Sequence, residues 1–198
     1  MVQSGLIHNP AVSHFRLAAH FLTALSFLSY TLWLYLDLVS PLKKKSKSPI
    51  FYVTLSFLVV LIFQLLYGAF MAGLKAGYGF NTFPLMGNEW IPVAVWMEDT
   101  VIQNILNNPF MIQFIHRSIA YVLIIISLYI LYHAQKDRTL PARSQLLGLV
   151  GLVWIQFGLG VATLVLKVPL SFAILHQFVA MLMVIQTIVV IHKLSHMR

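Results

Sequence analysis

The 198-residue chain has no cysteine at all, so disulfides, thiolate metal sites and cysteine nucleophiles are excluded. It is also short of charge. Only 9% of its residues are Asp, Glu, Lys or Arg, against 60% hydrophobic, and its mean hydropathy is +0.86. A soluble globular domain carries far more charge than this. Acidic residues are the scarcest, at 5 against 13 Lys and Arg, for a formal net charge of +8. A start typical of a cleaved signal is missing too. Residues 1–15, "MVQSGLIHNPAVSHF", are mixed and contain Pro10, and no small-residue cleavage site follows the next apolar run.

What the chain does have is long apolar runs. Five stretches are long enough to cross a bilayer: 16–38, 50–74, 111–133, 145–166 and 170–193. The expected fold is therefore an all-α integral membrane protein with five transmembrane helices. The basic residues orient it. Lys43, Lys44, Lys45 and Lys47 lie in loop 39–49, Lys136, Arg138 and Arg143 between the third and fourth spans, and Lys193 and Arg198 at the end, with 194–198 as a tail. All fall on one side, the expected cytoplasmic side. The charge is thus a topology signal, and no nucleic-acid partner is expected. Residues 1–15 become an outside tail. Such a tail before an odd number of helices, without an export signal, leads to the expectation that upstream helices are absent or that the chain was cut. The loop 75–110 lies on the outer side with Glu89, Glu98 and Asp99. It is long for a connector and rich in Gly, Pro, Asn and Trp, a pattern associated with function. Trp90 and Trp96 suit the membrane interface, and 96–107 reads as a short amphipathic helix on the outer surface.

Eight histidines are present. His8, His14, His133, His192 and His196 lie in tails or near span ends and read as solvated or interfacial. His20, His116 and His176 lie inside spans that all run from outside to inside. Each sits roughly 6–9 Å below the outer boundary at the helical rise. Parallel helices bearing imidazoles at one depth can hold a flat ligand between them, the usual axial ligation of a b-type haem. Zinc needs further carboxylate or thiolate ligands, and none lies at this depth. For either histidine by itself, the alternative is a hydrogen bond to a neighbouring helix. Arg117, beside His116, suits a haem propionate, or else snorkels to the interface. Gly68, Ala72 and Gly73 in the second span, and Gly158, Gly160 and Ala162 in the fourth, allow close approach of a macrocycle or simply of another helix. The segments from His20, "HFLTALSFLSYTLW", and from His176, "HQFVAMLMVIQTIV", form a faint internal repeat.

The segments "MVQSGL", "VSHFRLAAH", "GAFMAGLKAGYGFNTFPLMGNEWIP", "NPFMIQFIHR", "QFGLGVATLVLKVPL" and "LHQ" occur in order across nearly the whole chain. In these the chain resembles the haem A synthase family, most of all its alphaproteobacterial and mitochondrial type. The resemblance implies eight helices in two four-helix halves, of which this chain is similar to helices four to eight, with Met1 on an internal methionine. Residues 16–38 would then be the last helix of the incomplete N-terminal half. Residues 50–193 would be a complete C-terminal four-helix haem-binding bundle. His116 and His176 match the axial ligands of the haem b of that half, an electron-transfer cofactor. His20 matches a ligand of the substrate haem in the other half. The family's glutamate there precedes its histidine by three residues. Gln113 stands at the corresponding place here, and Gln cannot serve as a carboxylate base. No catalytic residue is therefore assigned in this chain. Lys75 in "AGLKAG" replaces a frequent family aspartate.

The implied activity is oxidation of a methyl group of haem O to the formyl group of haem A for cytochrome oxidase. The implied setting is a bacterial inner membrane, or alternatively the mitochondrial inner membrane. Expected partners are haem O, the lipid bilayer, and haem O synthase, an electron donor or a second copy of the chain. The alternatives are a b-type membrane cytochrome or an inactive remnant lacking the substrate half, and a membrane scaffold without haem.

Overall fold

A computed structural model describes residues 13–39, 48–140 and 142–195. The tail 1–12, the lysine cluster of loop 40–47 and residues 196–198, with His8, His196 and Arg198, lie outside the described residues. Among the described residues, five helices are long and apolar enough to cross a membrane. They are α1 (His14–Val39), α2 (Pro49–Gly73), α4 (Pro109–Lys136), α5 (Arg143–Val165) and α6 (Leu170–Ser195); a short helix, α3 (Val101–Asn107), sits in the long loop. The protein is an all-α, multi-pass membrane protein.

Local chemistry sets the helix ends. Pro49 and Pro109 take the first turn of α2 and α4, where a missing N–H costs nothing. Asn108 caps α4: its side-chain oxygen accepts from the backbone N–H of Phe110 at 2.9 Å and of Met111 at 3.4 Å. Thr100 and Gln103 form a capping box on α3. Beyond α2 the chain turns at Lys75, whose φ of 53° is left-handed. Beyond α5 it turns at Lys167 and Val168, with φ of 61° and 60°. The amphipathic segment expected over 96–107 is shorter as a helix than that range. A 3-10 turn covers Val93–Trp96, and α3 starts only after the Thr100 cap.

Helices α2, α4, α5 and α6 form a ring in which α4 packs between α2 and α5, and α6 closes it against α5 and α2. Hence α4 and α6 occupy one diagonal, and α2 and α5 the other. Helix α1 lies outside the ring against α2 and α6. The main apolar core fills the half of the bundle away from the long loop. It includes Phe57, Leu61, Ile130, Leu146, Leu149, Met183 and Leu194. In lipid, such packing holds helices by contact rather than by expulsion from water. On the loop side that core stops at Leu65, Leu123, Val153 and Ala180. The residues beyond those levels build the site.

Candidate functional site

His116 on α4 and His176 on α6 stand on opposite corners of the ring, in its loop-side half. Each is served by the helix paired with its own. His116 Nε2 lies 3.2 Å from the side-chain nitrogen of Gln64 on α2. His176 Nε2 lies 3.2 Å from that of Gln156 on α5. One helical turn from each glutamine is a glycine facing the same ring. A Cβ on Gly68 would meet His116 Cε1 at 3.3 Å, and one on Gly160 would meet His176 Cε1 at 3.0 Å. The other small residues of these helices act differently. Gly73 lets α1 approach, since a Cβ there would collide with His14, while Gly158 meets nothing. Packing thus explains Gly73, but Gly68 and Gly160 make room for imidazoles.

The Nδ1 atoms of His116 and His176 are buried and have no hydrogen-bond partner, and so are the side-chain oxygens of Gln64 and Gln156. Buried polar atoms normally find partners. Two half-satisfied imidazoles across a bundle with small residues at the intervening corners fit a macrocycle ligated from both faces. Among the described residues, no three His, Cys, Asp or Glu side chains converge on one point. The two imidazoles are the candidate donors here.

The mouth of this half is closed by the loop. Arg117 donates to three backbone carbonyls: Phe80 at 2.8 Å, Thr82 at 3.0 Å and Leu85 at 3.3 Å. Its Nε is buried without a partner. Gln113, fully buried, donates to the same Phe80 carbonyl at 2.9 Å. Asn81 donates to the Leu164 carbonyl at 2.9 Å and so ties the loop to the end of α5. Arg117 therefore holds the lid, a role its sequence position did not signal. A groove of about 300 Å³ remains beside it, lined by Trp90, Phe114, Arg117 and Tyr121 among others.

His20 is not part of this cluster. It lies exposed on α1, whose buried contacts are made by Ala18 and Leu25. Two histidines read as solvated or interfacial, His192 and His14, need correction, whereas His133 fits the interfacial reading. His192 is only 2% exposed, and its ring nitrogen lies 2.9 Å from an Asp37 carboxylate oxygen on α1. His14 belongs to α1, is half-buried, and contacts the Leu106 carbonyl at 2.9 Å. His133 is half-buried against Tyr129, ring centroids 4.4 Å apart. In each case the partner comes from tertiary packing or the next helical turn, and an end-of-helix position alone does not reveal it.

Residues 1–188 match the model of a family described as "Cytochrome oxidase assembly protein". The chain belongs to this family. Curated relatives of this cytochrome oxidase assembly protein family carry the name "Heme A synthase". The one from Flavobacterium johnsoniae is 38% identical over 98% of this chain and 58% of its own length. That from Rhizorhabdus wittichii is 38% identical over 92% of this chain and 52% of its own. That from Wolbachia pipientis wMel is 38% identical over 89% and 50%. The chain thus spans little more than half the length of the relatives it matches. No solved structure matches it.

Proposed function

We propose that this chain works in haem A synthesis, as the part of a haem A synthase that holds an electron-transfer haem b between His116 and His176. The supporting observation is the diagonal pair of imidazoles, each with a buried, unpartnered nitrogen and a glycine clearing space at its ring. Bound there, a haem supplies one-electron chemistry at its iron. The chain's own residues do the rest. His116 and His176 would hold it through their imidazoles. Gly68 and Gly160 leave the rings room. The lid held by Arg117, Gln113 and Asn81 restricts water at the mouth, and solvent access is one of the factors that tune a haem potential. The unpartnered Nε of Arg117 remains to meet a propionate, a charge-assisted contact.

In this reading the substrate is haem O, whose methyl group becomes the formyl group of haem A, in a bacterial inner membrane. The partners are an electron donor, and haem O synthase or a second copy of the chain. His20 serves the substrate haem together with a histidine of the N-terminal half. Residues 50–193 act as the haem-binding unit and α1 as the contact to the substrate half.

A second reading, a b-type cytochrome that transfers electrons without oxidising haem O, is favoured by one observation. No Asp or Glu lies within α2, α4, α5 or α6, and Gln113 is committed to the lid. Two measurements decide. Reduced-minus-oxidised spectra of the purified chain should show a b-type band that His116→Ala and His176→Ala abolish; no such band in the unaltered protein sinks both readings. Pigments extracted from cells with this chain as their only copy should contain haem A. Accumulation of haem O alone leaves the cytochrome reading.

A further inference from the structure

We propose that Asp37 and His192 are positioning residues that pin α1 to α6, so that His20 and His176, one on each helix, stand level at a set separation. The inference rests on the haem A synthase reading and deepens it, since there His20 serves the substrate haem and His176 the electron-transfer haem.

The first argument is register. His192 Nε2 donates to an Asp37 carboxylate oxygen at 2.9 Å, at the ends of α6 and α1 away from the long loop. The same ring is met edge-on by Trp33, one helical turn before Asp37, with centroids 5.1 Å apart. His20 precedes Asp37 by 17 residues, and His176 precedes His192 by 16. At the helical rise each of these spans comes to roughly 25 Å. Both helices run the same way, so a joint at this one point brings the two distant histidines to one depth.

The second argument is that packing leaves the register of α1 on α6 open. From the level of the two histidines inward, the helices are separated by an apolar groove of about 370 Å³, lined by Phe21, Ala24, Leu25, Ile174, Phe178 and Met181 among others. The loop-side end of α1 is seated on other elements. His14 lies against Gly73 of α2, and its ring contacts the Leu106 carbonyl of α3. Apolar walls can slide or tilt past each other, whereas a hydrogen bond holds one distance and direction.

The third argument is cost. Asp37 is the one acidic residue within the five spans. A carboxylate inside a membrane span is expensive and marks function as a rule. Two apolar side chains would join α1 to α6 at less cost. A polar pair in such a place is best explained where it sets register. Reactions between groups held apart by a protein are sensitive to small misplacements, which gives a fixed register its use here.

The test uses the purified full chain in lipid nanodiscs. The chain has no cysteine, so introduced cysteines take spin labels without background. Labels at Leu34→Cys on α1 and Leu170→Cys on α6, both exposed, read sliding by pulsed electron paramagnetic resonance. Labels at Leu34→Cys and Leu128→Cys on α4, also exposed, read a sideways swing. Asp37→Leu should move at least one of the two distances by several ångströms, toward one helical turn of about 5.4 Å, or widen its distribution. Asp37→Asn, whose side-chain oxygen still accepts from His192, should restore both. If Asp37→Leu does not accumulate, His192→Phe decides, since it keeps a ring against Trp33 and removes the donor. Distances and widths unchanged in the deciding variant overturn the inference, even if thermal stability falls. A shift that Asp37→Asn does not correct overturns it as well. The b-type band of the unaltered chain reports separately on the haem reading. Its absence overturns that reading and the purpose given to the joint, while the distances still show whether α1 is pinned.

Discussion

Gly160 and Gly68 are the residues whose replacement is most informative. A methyl group on Gly160 would sit 3.0 Å from the His176 ring, and one on Gly68 3.3 Å from the His116 ring. The ring must yield, and a small misplacement of a ligand is expensive. Gly160→Ala should lower the b-type band per unit protein severalfold, and Gly68→Ala less. Gly158→Ala, where a Cβ meets nothing, is the control. It should leave the band unchanged and, by helix propensity, raise stability by up to about 1 kcal/mol. Absorbance normalised to protein, with thermal unfolding alongside, checks all three. Arg117 gives a second test. Arg117→Ala removes three carbonyl contacts, each worth about 1–3 kcal/mol for a charged donor. Loop 80–85 should become protease-sensitive while the helices stay resistant. Cleavage no faster than in the unaltered chain would refute the latch.

The sequence shows histidines readily, because an ionisable group in an apolar run stands out. Depth matching then groups His20, His116 and His176, and the family resemblance pairs the last two. Gln64 and Gln156 are harder to see. A glutamine in a long apolar run carries no periodic signal, and only the repeated Gln-x-x-x-Gly spacing in two helices marks them. His192 misleads for the opposite reason. It sits in a last helical turn beside Lys193, and its partner Asp37 is far away in sequence.

At the level of the helix, the five spans are legible since length and apolar content agree with the structure. Their tilt toward one another is not. Which helix lies diagonal to which depends on packing that no single window of sequence contains. Helix ends offer a clear stability test. Asn108 caps α4 and also donates to the Ala94 carbonyl at 2.9 Å, so one side chain joins the lid to the helix bearing His116. Asn108→Ala should cost about 1–2 kcal/mol through the cap alone. The thermal midpoint should fall and α3 should become accessible to protease. At Lys75 the left-handed backbone disfavours most side chains. Lys75→Gly should raise the midpoint slightly, by the equivalent of about 1 kcal/mol, without altering the spectrum. A spectral change would give the lysine side chain a role at the site.

Over the molecule as a whole, apolar packing and the site are segregated. One half of the ring is filled by a continuous core, and the other holds the imidazoles, amides and glycines beneath a fastened loop. Helix α1 is attached at both ends by polar contacts, His14 to the Leu106 carbonyl and Asp37 to His192. It leaves His20 exposed. If α1 is separate from the ring's chemistry, His20→Ala should keep the full b-type band and its potential. Loss of the band would mean that α1 contributes to the site.

The matching of the two Gln-Gly-His corners has a consequence for how a planar guest is seated. If a haem is held between His116 and His176, the two corners would offer it the same glutamine, glycine and histidine groups, so they would not tell one of its faces from the other. Discrimination between face-flipped isomers falls to the rim, where the Arg117 side has no counterpart beside His176.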